Sequence, residues 1–96
     1  MRKQAKRASG LLKAIANENR LLILCQLVDG EASVGELGKK LDLSQSALSQ
    51  HLARLRRDGV VKTRRQAQTI RYAIASEDAK ALLSTMYRLF CGDTRS

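Results

Sequence analysis

Apolar positions along this chain change their spacing twice, which divides it into a run of helices, a hairpin and a last helix. Ala5, Ala8, Leu11, Leu12 and Ile15 recur at helical intervals, interrupted by Gly10. Arg2 to Arg7, ahead of this stripe, reads as a fraying helix end or a basic arm. Asn17 is a good N-cap for a second helix, Glu18 to about Val28. There Leu21, Leu24, Cys25 and Val28 share a face that Leu22 and Leu27 broaden, so this helix is expected to be central and buried. Asp29-Gly30 ends it. Ser33 and Glu36 have capping-box spacing and open a short helix with Val34, Leu37 and Leu41 on its inner side.

Ser44 to Gly59, SQSALSQHLARLRRDG, is the most informative stretch. Ser44 caps it, Gly59 closes it, and Leu48, Leu52 and Leu55 fall at i, i+4 and i+7 on one face. Two short helices joined by Asp42-Leu43 predict a helix-turn-helix, although the turn has no glycine. After Gly59 the period falls to two. Val60 to Arg64 and Thr69 to Ile74 read as strands, Ile70, Tyr72 and Ile74 alternating, with polar residues 65–68 between them and no Asn-Gly signal. A lone hairpin is marginal in water, so this one must pack on the helices. Ser76 caps a final helix with Glu77 and Asp78 in its first turn and a stripe of Ala79, Leu82, Leu83, Met86, Leu89 and Phe90. The expected fold is mainly α with a small β-hairpin, a winged helix-turn-helix of order ααααββα, as one domain over residues 1–96.

Charge gives this pattern a direction. The chain carries a net charge of +9 at pH 7, which points to a polyanion and favours nucleic acid over a membrane surface. No apolar run approaches the roughly 18 residues of a membrane span. The basic N-terminus lacks the apolar core of a signal peptide, so a cytoplasmic protein is expected. No nucleophile–base–acid set or nucleotide loop is visible, so no enzyme and no cofactor is expected. Two Tyr and one Phe are too few for a single-strand stacking platform.

The outer face of the Ser44–Gly59 helix presents Gln45, Ser46, Ser49 and Gln50 in its N-terminal half, where a helix in the major groove meets base edges. Gln pairs with adenine, Ser is permissive and Arg prefers guanine. Arg54, Arg56, Arg57, Lys62, Arg64, Arg65 and Arg71 supply candidate phosphate contacts, which give affinity rather than sequence choice. A merely solvated, solubilising face is the alternative for some of them. A domain this small reads enough base pairs only by pairing. Leu11, Leu12 and Ile15 with Leu82, Leu83, Met86, Leu89 and Phe90 are the candidate dimer surface, ordinary core packing being the alternative. His51, the sole histidine, lies beside the leucine face and fits a structural role; one histidine builds no zinc site.

LKAIANENRLLILCQL, SVGELGKKLDLSQSALSQHLARLRRDGVV and TIRYAI together resemble the ArsR/SmtB family of winged-helix repressors over nearly the whole chain. The ILC and LFC cysteines make it similar to the HlyU/BigR/SqrR branch of thiol-based sulfur and redox sensors. The resemblance implies a homodimer on a palindromic promoter site, released or retuned by a chemical signal, with His51 beside the DNA backbone. It also argues against metal. The family's thiolate motif ELCVCDLC aligns with EASVGELG, leaving Ser33, Gly35 and Gly38 where cysteines would be, and residues 77–91 contain no histidine. Cys25 and Cys91 occupy the branch's two thiol positions, with Arg88 near Cys91 as a candidate activator. Three readings stay open: a thiol-sensing DNA-binding regulator, a regulator whose cysteines only pack, and a protein-interaction module.

Overall fold

The computed structural model describes residues 1–90. Its elements are α1 (Arg2–Ile15), α2 (Glu18–Val28), β1 (Ala32–Ser33), α3 (Val34–Lys40), α4 (Gln45–Arg57), β2 (Val61–Gln66), β3 (Thr69–Ile74) and α5 (Glu77–Phe90). The helices start where the caps predict. Asn17 Oδ1 accepts from the backbone N–H of Asn19 and of Arg20, both at 3.0 Å. Ser33 and Glu36 form a complete capping box. α1 extends through the basic segment to Arg2, so the residues read as an arm or a frayed end are helical.

Every helix and one strand contribute to the core. Ile23, Leu24, Leu37, Leu48, Leu52, Leu55 and Leu83 are its largest fully buried side chains, with Ala14, Ile15 and Val61 beside them. On α2 the buried face is Ile23, Leu24 and Leu27, while Leu22 is 44% exposed. The stripe is thus rotated from the one expected.

Arg20 is the one buried charged residue among those described. Its Nε donates to Ala14 O at 2.6 Å and its Nη2 to Lys13 O at 3.3 Å. Those carbonyls belong to the last turn of α1, where no intrahelical donor remains. Desolvation, and then the nearby Arg54 charge, push its pKa down. Among the described residues, no buried side-chain N or O atom lacks a hydrogen-bond partner.

The sheet differs from the expected hairpin by one strand. β1 joins it, giving the antiparallel order β1-β3-β2 with Ala32 opposite Tyr72 and Ser33 opposite Arg71. An N-cap residue has extended backbone angles, and Ser33 (φ −86, ψ 165) therefore serves as strand end and helix cap together. The hairpin is also tighter than its sequence signalled. Gln66 pairs with Thr69, so the polar segment shrinks to a turn of Ala67 and Gln68. Ala67 takes φ 56, the left-handed value that the first central residue of a type II′ turn needs and that glycine adopts without strain.

α4 stops in a Schellman motif. Gly59, at φ 78, donates to Arg56 O at 3.0 Å, and Val60 donates to Leu55 O at 2.9 Å. Val60 and Leu55 are both buried, which turns the chain directly into β2.

Replacing Ala67 by glycine relieves the left-handed strain but frees the unfolded chain. The expected net is a gain of up to about 1 kcal/mol in urea denaturation, with no change in the denaturant slope.

Candidate nucleic-acid interface

α4 is oriented by its leucines. Leu48, Leu52 and Leu55 are each fully buried, and that burial turns Gln45, Ser46, Ser49 and Gln50 outward, all exposed. Ser44 Oγ accepts from the Ala47 N–H at 3.1 Å and satisfies one of the first-turn donors at the end nearest these residues. α3 packs across α4, and at Gly38 the backbone comes close enough that an added Cβ would lie 3.5 Å from Leu48 Cδ1. His51 is half-buried on the flank of α4. Arg54, Arg56 and Arg57 are exposed in its last turn, favourably placed for the helix dipole, and Arg54 Nε lies 3.6 Å from Asp58 Oδ2.

The wing cations fall into two groups. Lys62 and Arg65 are exposed. Arg64 and Arg71 are each engaged by a carboxylate within the chain. Arg64 donates from Nε to Glu31 Oε2 at 2.9 Å and from Nη2 to Glu31 Oε1 at 2.6 Å, a two-pronged ion pair. Arg71 donates from Nη1 to Glu36 Oε1 at 2.8 Å and from Nε to Gln66 Oε1 at 2.8 Å. Both carboxyls titrate below the ordinary glutamate range. For Glu31 the main cause is the Arg64 hydrogen bond, followed among the lowering effects by the charges of Arg64, Arg71 and Lys62. For Glu36 it is the Ser33 backbone N–H, then Arg71. Glu31 in turn holds Arg64 above its usual value. Nothing local signals these partners, which stand 33 and 35 residues from their arginines.

The expected dimer surface is only partly a surface. Ile15 and Leu83 are 7% and 0% exposed and belong to the chain's own core, Leu83 sharing the buried face of α5 with Ala79. They are corrected from interface to core. Leu11 and Leu82 pack on the core's margin, and Met86 is half-buried. Leu12 on α1 and Leu89 and Phe90 on α5 are 54%, 59% and 74% exposed, joined by Tyr87, which the sequence pattern did not single out. Cys25 is half-buried on α2, which packs against α5. Cys91 lies outside the described residues. Among the described residues no group of three or more His, Cys, Asp or Glu side chains could hold a metal ion, and no helix is long and apolar enough to cross a membrane.

Known proteins share this arrangement. The family model of bacterial regulatory proteins of the arsR family matches residues 17–63. The transcriptional activator HlyU of Vibrio cholerae is 58% identical over 91 residues, 95% of this chain and 84% of that protein. The biofilm growth-associated repressor of Agrobacterium fabrum is 46% identical over 91 residues, 95% of this chain and 78% of its own length. The solved structure of reduced HlyU from V. cholerae superposes with a TM-score of 0.90 at 58% identity, covering 95% of this chain and 96% of that one. A homodimeric winged helix-turn-helix DNA-binding domain from Mycobacterium bovis superposes at 0.80 with 29% identity, covering 91% and 81%.

The two wing carboxyls make stability depend on acid. Their folded pKa values lie below the ordinary value near 4.5, so their contribution is complete above that value and is lost as the pH falls through the folded ones. Melting temperature should therefore drop on acidification from about pH 5 to about pH 3, and drop less when Glu31→Gln and Glu36→Gln are combined.

Proposed function

The chain belongs to the bacterial ArsR family of transcriptional regulators, and from that premise we propose that it works in the cytoplasm as a homodimer on a palindromic site in double-stranded DNA, read by α4 and flanked by the wing. As a member of that family it is a regulator and not an enzyme. The observation that carries the reading is the opposition on α4 of three fully buried leucines and four exposed Gln and Ser side chains.

Gln45 and Gln50 are the residues for bidentate pairing with adenine, with Ser46 and Ser49 permissive beside them. Arg54, Arg56, Arg57, Lys62 and Arg65 supply phosphate contacts, and His51 lies close to the backbone. The exposed Leu12, Leu89 and Phe90 support pairing of two copies. A two-fold dimer sets two α4 helices about 34 Å apart, one turn of DNA, which matches an inverted repeat. A relative at 58% identity carries an activator name and one at 46% a repressor name. The sign of regulation then belongs to where the site lies in a promoter rather than to the fold.

Regulation is assigned to Cys25 and Cys91. Cys25 lies on α2, which packs against α5, the helix that Cys91 follows in the sequence; this supports the reading, as does the similarity to HlyU, one solved structure of which is of the reduced form. Closing a disulfide releases two electrons and two protons to an oxidant, while a sulfane-sulfur donor transfers sulfur to one thiolate and leaves a persulfide. Either product changes the α2–α5 contact and hence the angle between paired α4 helices. A coupling of about 1–3 kcal/mol is typical and enough to release DNA.

Selection from a randomised duplex library should return an inverted repeat, and binding to it should weaken steeply with salt. Gln50→Ala should cost about 1–3 kcal/mol at one base pair of each half-site and relax the preference there. A flat salt dependence would remove the DNA-binding reading and leave a protein-interaction module. Persulfide treatment should release the selected duplex from the wild type but not from Cys25→Ser or Cys91→Ser. Equal release from all three would make both cysteines packing residues.

A further inference from the structure

Arg64 and Arg71 sit directly opposite each other on β2 and β3. Directly opposed residues of an antiparallel pair point to the same face, and like charges there destabilise the sheet. Ser33 on β1 is opposite Arg71 in turn, so one row runs Ser33–Arg71–Arg64 across all three strands. Glu31 precedes β1 by one residue and holds Arg64, while Glu36 in the first turn of α3 holds Arg71. Glu36 Oε1 also accepts the Ser33 N–H at 2.9 Å. The same carboxylate thus closes the cap of α3 and grips the wing.

We propose that Glu31 and Glu36 are positioning residues for DNA recognition, using Arg64 and Arg71 as straps that fix the β2–β3 wing against the segment leading into β1 and against the first turn of α3, and through α3 against α4. The inference rests on the DNA-binding reading above. Two carboxylates beside a polyanion site would otherwise repel phosphate, and two wing arginines would otherwise bind it. In the strapped arrangement the acids favour binding by holding the wing in its pose, and the phosphate contacts of the wing fall to Lys62 and Arg65.

The sign of a neutral substitution separates the roles. Glu36→Gln keeps the α3 cap, since glutamine accepts the same hydrogen bond, but loses the charge that grips Arg71. In titrations of the full chain against a duplex selected by the wild type, Glu36→Gln and Arg71→Ala should each weaken binding about threefold to tenfold over the two protomers. The salt slope should not change, and combining the two substitutions should weaken binding no further than one alone. Arg65→Ala, in contrast, should lower the slope by about 0.9 for each phosphate left without its cation. Tighter binding by Glu31→Gln or Glu36→Gln, or a reduced slope in Arg64→Ala or Arg71→Ala, would overturn the inference and return both arginines to phosphate.

Amide exchange in the DNA-free protein supplies a second readout. Residues 61–74 should exchange faster in Glu36→Gln and in Arg71→Ala, and unchanged exchange also overturns the strap. Failure of the wild type to bind any duplex, with exchange nonetheless faster in the variants, would locate the fault in the DNA-binding reading instead. The straps would then be structural only, and their role in recognition would fall with it.

Discussion

Burial of Leu48, Leu52 and Leu55 is the constraint on which the rest of the molecule depends. Each is fully buried, and each contributes about 1.5–3 kcal/mol relative to exposure. Together they outweigh any preference of the polar side chains for one orientation over another. They set the rotation of α4 about its own axis, and so decide which four residues face out. The two ends of the helix add to this without changing it. Ser44 holds the entry, and the Gly59 turn with Val60 beneath it sends the chain into the wing.

A second layer of control is electrostatic and lies in the wing. A net charge of +9 makes the chain attractive to a polyanion as a whole, but it says nothing about which cations meet one. The sheet divides them. Arg64 and Arg71 face each other across a ladder rung and are met by carboxylates, whereas Lys62 and Arg65 make no ion pair among the described residues. Exposed ion pairs stabilise a fold only slightly. Their weight here comes from geometry, since one is two-pronged and the other shares its carboxylate with a helix cap.

Arg20 does for α1 what the wing pairs do for the sheet. An arginine with 7% of its surface exposed is costly to desolvate, and it is retained where its donors meet carbonyls that α1 cannot satisfy itself. Asn17 accepts its backbone N–H at the same corner. The helix that carries the exposed Leu12 is therefore held by this guanidinium as well as by its buried Ala14 and Ile15, close to the Arg54 and Asp58 pair at the end of α4.

Local signals in the sequence determined most of the fold. Helix starts follow from Asn17, Ser33, Ser44 and Ser76, whose side-chain oxygens cap the N–H groups of the next turn whatever the tertiary context. The inward and outward faces of α4 follow from spacing alone, so the candidate base-reading residues were legible in the order of amino acids, as were the motifs of the family. Tertiary structure decided the rest, because it depends on residues far apart in the chain. Strand β1 is two residues long and carries no periodicity; it exists because Tyr72 and Arg71 lie beside it. The turn at Ala67 has no glycine to announce it, and the pairing of Gln66 with Thr69 imposes it. Leu83 and Leu89 belong to one apolar stripe by spacing, yet the first is sealed in the core and the second open, because α5 outruns the surface it packs on. Arg64 and Arg71 read as free cations until Glu31 and Glu36 arrive across more than thirty residues of chain. Periodicity and capping are properties of a few neighbouring residues and can be read in one dimension; a charge's partner is a property of the folded surface.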